Sequence, residues 1–376
     1  MADMESIPSE YLKSNEYSII GGIGKGNSSK VYIAREETDQ TACLRNLVAL
    51  KVLYPDEDEF VTLEERIARG ELPHLIRHSC EQVLLPTKLV VFAMPGGASE
   101  TPQQTLVMPT IGGPSIFEYA RGRDCGRVPL PMAVLAIEDA ISALKFLHKH
   151  DIGHGDFHNR NLLLLPSSPI SQWSDEQLQT YMSSRPLHAH AAELGPKHMS
   201  STMSFFAEND ITLDGRILLV DFGSAYQGQG PEWLTDDARF VTNAPERLKG
   251  HAWGLPSDIW SLGATIIEIL TGTEIFRPEI NRYPGPCDFG RDEVRERIHE
   301  MLPPWRWEPN ELKSEMRSLW PPELSITSCR QLENMLEKML LLEPAQRLSI
   351  TEVAEIWRSI REDLKLRGAA RFEHER

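Results

Sequence analysis

Four stretches near the start of the chain, EYSIIGGIG, SKVYIAR, LVALKVL and QTLVMPT, are rich in apolar and β-branched residues and predict strands between Tyr17 and about Met108. One helical stretch, about Glu57 to Arg69, lies among them. From about Ser115 the period changes. In PMAVLAIEDAISALKFLHKH, Val134, Ile137, Ile141 and Leu144 recur at 3-4-3 spacing and Leu147 continues the stripe, which is one face of a helix. A second helix is expected over about Ser257 to Thr271, with Pro256 ahead of it and Gly272 placed to stop it. Later helices are expected near Asp292–Met301, Ser328–Leu341 and Thr351–Leu364. Residues 166–210 break the pattern. They are polar and rich in Pro, Ser and His between two apolar strands, and read as an inserted loop with one short helix capped by Ser174 and Gln177.

Composition narrows the function classes. A chain of 376 residues has room for two or three domains. Its 55 Asp and Glu against 39 Lys and Arg give a net charge of −16, which disfavours broad nucleic-acid binding and suits a basic partner. Five scattered cysteines form no CxxC pair, so neither a disulfide framework nor a zinc site is indicated. Residues 1–16 are polar and read as a flexible lead without the apolar core of a signal peptide. The longest apolar run, around Ile259 to Leu270, is too short to span a bilayer and carries Ser261, Thr265 and Glu268. The expectation is a cytosolic or nuclear protein that binds neither membrane nor nucleic acid.

The candidate chemistry begins at GGIGKGNSSKVYIA. Gly24 and Gly26 let a backbone approach a phosphate without a Cβ in the way, although a plain hairpin turn uses the same residues. The stretch is no Walker A loop, which would need Gly at Ile19 and Ser or Thr at Gly26. A strand follows it where a dinucleotide fingerprint needs a helix. Next, Lys51 stands inside the apolar run Val48-Ala49-Leu50-Lys51, where an ammonium is costly unless an anion meets it. Glu64 is the best carboxylate for that, and Glu65 the second. Further on, HGDFHNRNLLLL carries Asp156 and Asn161, RILLVDFG ends on Asp221-Phe222-Gly223, and Ala244-Pro245-Glu246, SDIWSLG with Asp258, and EPAQRLS with Arg347 follow in order.

This ordered set resembles the eukaryotic protein kinases, from Gly24 to Arg347. The resemblance implies an α+β bilobal fold: a small antiparallel β-rich N-lobe with one main helix, about 17–111, and a larger, mainly helical C-lobe, about 112–364. The insert 166–210 lies within the latter, and 365–376 is a tail. It also implies ATP and Mg²⁺, with Lys51 on the phosphates and paired to Glu64, Asp221 and Asn161 as metal ligands, and Asp156 orienting the substrate hydroxyl and accepting its proton. Gly24, Gly26, Ser29, Val31, Ala49, Met108 (the gatekeeper), Pro109 and Ile111 would surround the nucleotide. Glu246 would pair with Arg347, and Asp258 would hold the catalytic-loop backbone. A second CDFG at Asp288–Gly290 follows Pro-Gly-Pro and reads as a surface turn. His148, His150, His154 and His158 read as separate residues, His154 as a core one, and not as a metal cluster.

Several positions depart from the family pattern. Ser29 replaces the third glycine. Together with LVMPTIGG, the insert and MLPPW, it is similar to the SR-protein kinase branch and its fungal members, whose substrates are Arg/Ser-rich proteins. Gly155 stands where the family has an arginine that meets a phosphorylated activation loop, so no such phosphate is expected to be needed. In the loop Ser224–Asn243, Thr235 and Thr242 are the candidate hydroxyls. His158 replaces the usual lysine, and Arg160 is the candidate for supplying its charge to the γ-phosphate. Arg239 and Thr242 stand where the family has its Thr and Tyr before APE. The expected activity is a Ser/Thr protein kinase acting as a monomer on a basic or Arg/Ser-rich protein. A nucleotide-binding pseudokinase scaffold and a small-molecule phosphotransferase are the alternatives.

Overall fold

The computed structural model describes residues 17–25, 29–36, 47–54, 61–77, 80–93, 102–110, 113–121, 126–166, 173–174, 176, 178, 213–230, 240–277, 291–301 and 319–374. These fall into two compact units. The first comprises the described residues within Met1–Ser79, Leu84–Pro114 and Leu165–Asp214, and the second those within Cys80–Val83, Ser115–Leu164 and Gly215–Arg376.

The first unit is built on five antiparallel strands, β1 (Tyr17–Lys25), β2 (Ser29–Glu36), β3 (Leu47–Leu53), β4 (Lys88–Ala93) and β5 (Pro102–Pro109), in the order β1-β2-β3-β5-β4. Between β3 and β4 lie two short helices, α1 (Leu63–Ala68) and α2 (Pro73–Arg77). The β1–β2 register slips twice, between Ile19 and Gly21 and between Gly22 and Gly24, so the glycine stretch forms bulges. Because side chains alternate across a sheet, β3 divides its residues between two faces. Val48, Leu50 and Val52 join Tyr17, Tyr32, Ala34 and Val107 in one apolar cluster. Ala49 and Lys51 therefore point to the opposite face. Within this unit, the buried Arg35 of β2 donates to the carbonyl of Trp173 in the insert at 2.5 Å. Leu178 N–H to Ser174 O, at 3.0 Å, closes one turn there. The capping residue Gln177 lies outside the described residues.

The second unit is mainly helical: α3 (Ile116–Arg121), α4 (Leu130–Lys149), α5 (Pro245–Leu248), α6 (Leu255–Thr271), α7 (Arg291–Met301), α8 (Ile326–Met339) and α9 (Ile350–His374). Two short strand pairs complete it, β6 (Ile152–Gly153) with β9 (Tyr226–Gln227), and, apart from the ends Leu165–Pro166 and Leu213–Asp214, β7 (Leu162–Pro166) with β8 (Leu213–Leu219). In α4 the buried face is Ile137, Ile141, Leu144 and Leu147, widened by Ala133, Ala136, Ala140 and Ala143, while Val134 stays half-buried. Helix α6 is buried along its length from Ser257 to Thr271 and ends on Gly272. That glycine adopts φ +76° and donates its N–H to Glu268 O at 2.8 Å, a left-handed stop that a Cβ would strain.

The helix expected from Glu57 is described only as α1, capped by Thr62. The Thr62 hydroxyl accepts from Glu65 N at 3.2 Å while the Glu65 carboxylate accepts from Thr62 N at 2.8 Å. Helix α9 continues to His374 where a tail was expected from 365. Strand β4, helix α2 and the β6–β9 ribbon were not anticipated. Two-residue strands carry too few side chains to show a period.

Candidate active site

In the first unit, Lys51 donates from Nζ to Glu64 Oε2 at 2.7 Å, with side chains 8% and 2% exposed. A carboxylate at that distance offsets the desolvation of an ammonium in mid-strand. The thirteen positions from one to the other suffice for the chain to leave β3 and enter the first turn of α1. Glu65 is instead taken by the cap and by Arg69, 3.9 Å away. The cross-strand partners of β3 collect further candidates on the Lys51 face: Val31 stands opposite Lys51, and Met108 opposite Ala49. Ala49 is buried, while Val31 and Met108 are half-buried. Gly24 lies opposite Val31, Ser29 is buried at the start of β2, and Pro109 is exposed at the end of β5. Gly26 and Ile111 lie outside the described residues.

In the second unit, Asp156 follows β6 in an irregular loop that remote groups hold. Asp258 of α6 accepts the His154 N–H at 2.8 Å and the Gly155 N–H at 3.0 Å, and its Oδ2 lies 3.1 Å from His148 Nε2. Burial opposes the charge on Asp258, but His148 and the His154 N–H hold its carboxyl below the usual range. His154 is a core residue, edge-on to Phe222 at 5.1 Å. Its Nδ1 accepts from Asp156 N at 3.3 Å, so Nε2 carries the proton and donates to Val220 O at 3.1 Å.

Asp156 itself is held at one oxygen. Its Oδ2 lies 3.3 Å from His158 Nε2, and His158 Nδ1 accepts the Arg160 N–H at 3.2 Å, which leaves the imidazole proton on the Asp156 side. The Asn161 amide donates to the Asp156 carbonyl at 2.9 Å. Asp156 Oδ1 has no hydrogen-bond partner among the described residues. Burial pushes the Asp156 carboxyl up, but His158, Arg247 and His154 outweigh it and hold the group well below the ordinary carboxylate range.

Asn161 and Asp221 are candidate cation ligands. The Asn161 carbonyl accepts the Val220 N–H at 3.0 Å, which joins the backbone beside Asp221 to that of Asn161. The Asp221 side is exposed and its φ is +65°, an unfavourable conformation for a residue with a Cβ. Strand β8 leading to it is fastened by buried Asp139 of α4, which accepts from Ile217 N at 3.0 Å and Arg216 Nε at 2.8 Å. One carboxylate and one amide oxygen are hard donors and fit Mg²⁺, which keeps much of its water. Among the described residues no three His, Cys, Asp or Glu form a metal cluster.

The Arg160 guanidinium stacks 3.6 Å from the centre of the Phe117 ring in α3. Glu246 and Arg347 form a buried bidentate pair with both bonds at 2.7 Å, and Arg347 also donates to Pro256 O and Leu341 O. Thr242 is buried, its carbonyl accepting from Ser261 Oγ at 2.8 Å, so it is not an accessible hydroxyl. Thr235, Arg239 and the second CDFG lie outside the described residues. Three residues of the site were not anticipated: His158 as the partner of Asp156, Asp139 and Arg247. His158 was visible as a substitution beside Asp156. Asp139 and Arg247 act across 78 and 92 positions and leave no local signal.

Residues 203–357 match the family described as protein kinase domain. The fold class is the α+β one of that domain, with an antiparallel sheet in the N-terminal unit and helices in the C-terminal unit. The chain is 25% identical over 270 residues to a probable cAMP-dependent protein kinase catalytic subunit of Encephalitozoon cuniculi, covering 70% of this chain and 63% of that protein. It is 24% identical over 170 residues to the serine/threonine-protein kinase AFC1 of Arabidopsis thaliana, covering 45% of this chain and 32% of the relative. To the dual specificity protein kinase KNS1 of Saccharomyces cerevisiae it is 26% identical over 167 residues, covering 44% and 20%. The chain thus spans less than two thirds of the length of each of these kinases. No helix among the described residues is long and apolar enough to cross a membrane.

Proposed function

We propose that the protein is an ATP-dependent protein kinase that transfers the γ-phosphoryl group to Ser or Thr hydroxyls of a protein substrate. The observation that carries this reading is the state of Asp156: its backbone and one carboxylate oxygen are fixed, and its buried Oδ1 is left without a partner among the described residues. A substrate O–H donating to Oδ1 supplies the missing bond. A carboxylate held this far below its usual range is a weak base, so its first role is to aim the hydroxyl. The proton passes to Asp156 late, as the new O–P bond forms and the bond to the leaving diphosphate breaks.

Lys51, kept charged and aimed by Glu64, binds the phosphates of ATP, and Val31, Ala49 and Met108 supply an apolar face to the adenine, with Gly24, Gly26, Ser29, Pro109 and Ile111 around it. Asn161 and Asp221 hold Mg²⁺, which when bound neutralises charge on the phosphates and the leaving group. The conformation of Asp221, unfavourable by itself, is explained by a carboxylate that must face a cation. The Arg160 guanidinium lies against Phe117, and its assignment to the γ-phosphate requires it to leave that ring. The net charge of −16 supports a basic or Arg/Ser-rich substrate segment, as does the likeness to the SR-protein kinase branch. A monomer in the cytosol or nucleus completes the reading.

The test is incubation with labelled ATP, Mg²⁺ and an Arg/Ser-rich peptide beside a generic basic protein, with Asp156→Asn in parallel. Transfer to Ser or Thr that falls about 10²- to 10⁴-fold in the variant is the expected result. ATP-dependent thermal stabilisation without transfer identifies a scaffold, label on a small alcohol alone identifies a small-molecule phosphotransferase, and label on Tyr as well makes the enzyme dual-specific.

A further inference from the structure

The peptide unit between Gly155 and Asp156 decides where the Asp156 side chain leaves the backbone. Its N–H is fixed by His154 Nδ1. Its C=O is met by Arg247, whose Nη1 donates to the Gly155 oxygen. Arg247 is buried on α5, next to the Glu246 that anchors this helix through Arg347. Its guanidinium centre lies 4.4 Å from the Trp253 ring, and Nη1 also reaches Asn243 Oδ1 at 3.4 Å. Arginine suits this position because a flat guanidinium can stack and donate in its own plane at once.

The loop cannot supply such a cation at position 155. Gly155 adopts φ +76°, and a Cβ there would lie 2.2 Å from the Ser224 carbonyl oxygen. With this backbone, any positive side chain serving the loop at this point must come from elsewhere in the fold, and Arg247 is a side chain that reaches it.

We propose that Arg247 is the positioning residue of the catalytic loop: held by Trp253 and Asn243, it clamps the Gly155 carbonyl and thereby fixes Asp156 from outside the loop. This rests on the kinase reading of Asp156, but the clamp itself can be read without phosphoryl transfer. Its positive charge next to Asp156 also favours the ionised carboxylate that receives a hydroxyl proton. Asp258 and Arg247 thus divide the work, one taking N–H groups and the other a carbonyl of the same short stretch.

The experiment compares wild type, Arg247→Met and Arg247→Lys by steady-state kinetics and by hydrogen exchange of residues 152–158. In Arg247→Met, kcat is expected to fall at least tenfold with KM for ATP within twofold. Exchange of 152–158 should accelerate at least tenfold while that of α6 is unchanged. Arg247→Lys should recover part of both, since a point charge reaches the carbonyl without the stack. An Arg247→Met protein with kcat and exchange within twofold of wild type overturns the assignment, as does an equal loss of protection across the whole second unit. Should Arg247→Met fail to fold, Arg247→Lys decides on the same readouts, and values equal to wild type overturn it. If wild type transfers no phosphate, the kinase reading fails. Exchange of 152–158 then still decides the clamp.

Discussion

Lys51 and Asp156 carry the two central charges of the proposed chemistry, and they are held in opposite ways. Lys51 stands in mid-strand between β2 and β5, so the pleat aims its side chain, and its carboxylate arrives thirteen residues later on the next helix. Asp156 lies in a loop with no ladder around it. Its stretch of backbone is aimed by Asp258, about a hundred positions away, and by Arg247, 92 positions away. A regular element sets side-chain direction by itself. An irregular loop takes the orientation of each peptide from a tertiary partner, and every such partner is a place where it can be undone.

The loop is most sensitive at Asp258. Asp258→Asn keeps the shape, but one of its two backbone donors then faces an NH₂ group. A loss of about 2–3 kcal/mol is expected in denaturant unfolding, together with a marked loss of transfer. The pH dependence has a defined sign. The folded-state pKa of Asp258 lies below the unfolded one, so its stabilisation is present above the ordinary Asp range and is lost as pH falls through the lower folded value. The variant should lose that part of the acid-side slope, read by unfolding midpoints across acidic pH.

Glu64→Gln comes next. It leaves Lys51 with a neutral acceptor, and a loss of about 1–2 kcal/mol is expected along with weaker ATP binding. Because the pair is local to the first unit, hydrogen exchange of residues 152–158 should not change. Acceleration there would contradict the contrast between the two charges.

The smallest effect is at Glu118, which caps α3 by accepting from Ser115 N at 2.9 Å. Burial pushes its carboxyl up to about 7 against the opposing Ser115 bonds and Arg160. The folded state therefore binds the extra proton between the ordinary Glu range and 7, and stability declines as pH rises through that window and levels off above it. Glu118→Gln should flatten this decline, measured by melting midpoint between pH 4.5 and 8.

How much was legible follows the same division. The four strands, the helical stripe of α4 and the Gly272 stop of α6 were visible because each is written in a local period or a local stop. Lys51 with Glu64 was visible for a similar reason: an ammonium in an apolar strand needs an anion, and the nearby acidic helix offers it. Glu246 with Arg347 is far apart in sequence, and only the motif resemblance pointed to it before the bidentate geometry. Strand β4 was missed, an edge strand with Val91 60% exposed, so its alternation is not enforced by a second neighbour.

By itself, then, the sequence determined which residues could do chemistry: a lysine in an apolar strand, and an aspartate, an asparagine and a second aspartate in order. Tertiary structure decided which atoms are free to do it. Asp156 keeps one oxygen open because His158 occupies the other and because Asp258, His154 and Arg247 fix the backbone beneath it. Those constraints are hydrogen bonds whose strength depends on ångström-scale placement, and placement across a hundred residues is a property of the packed fold.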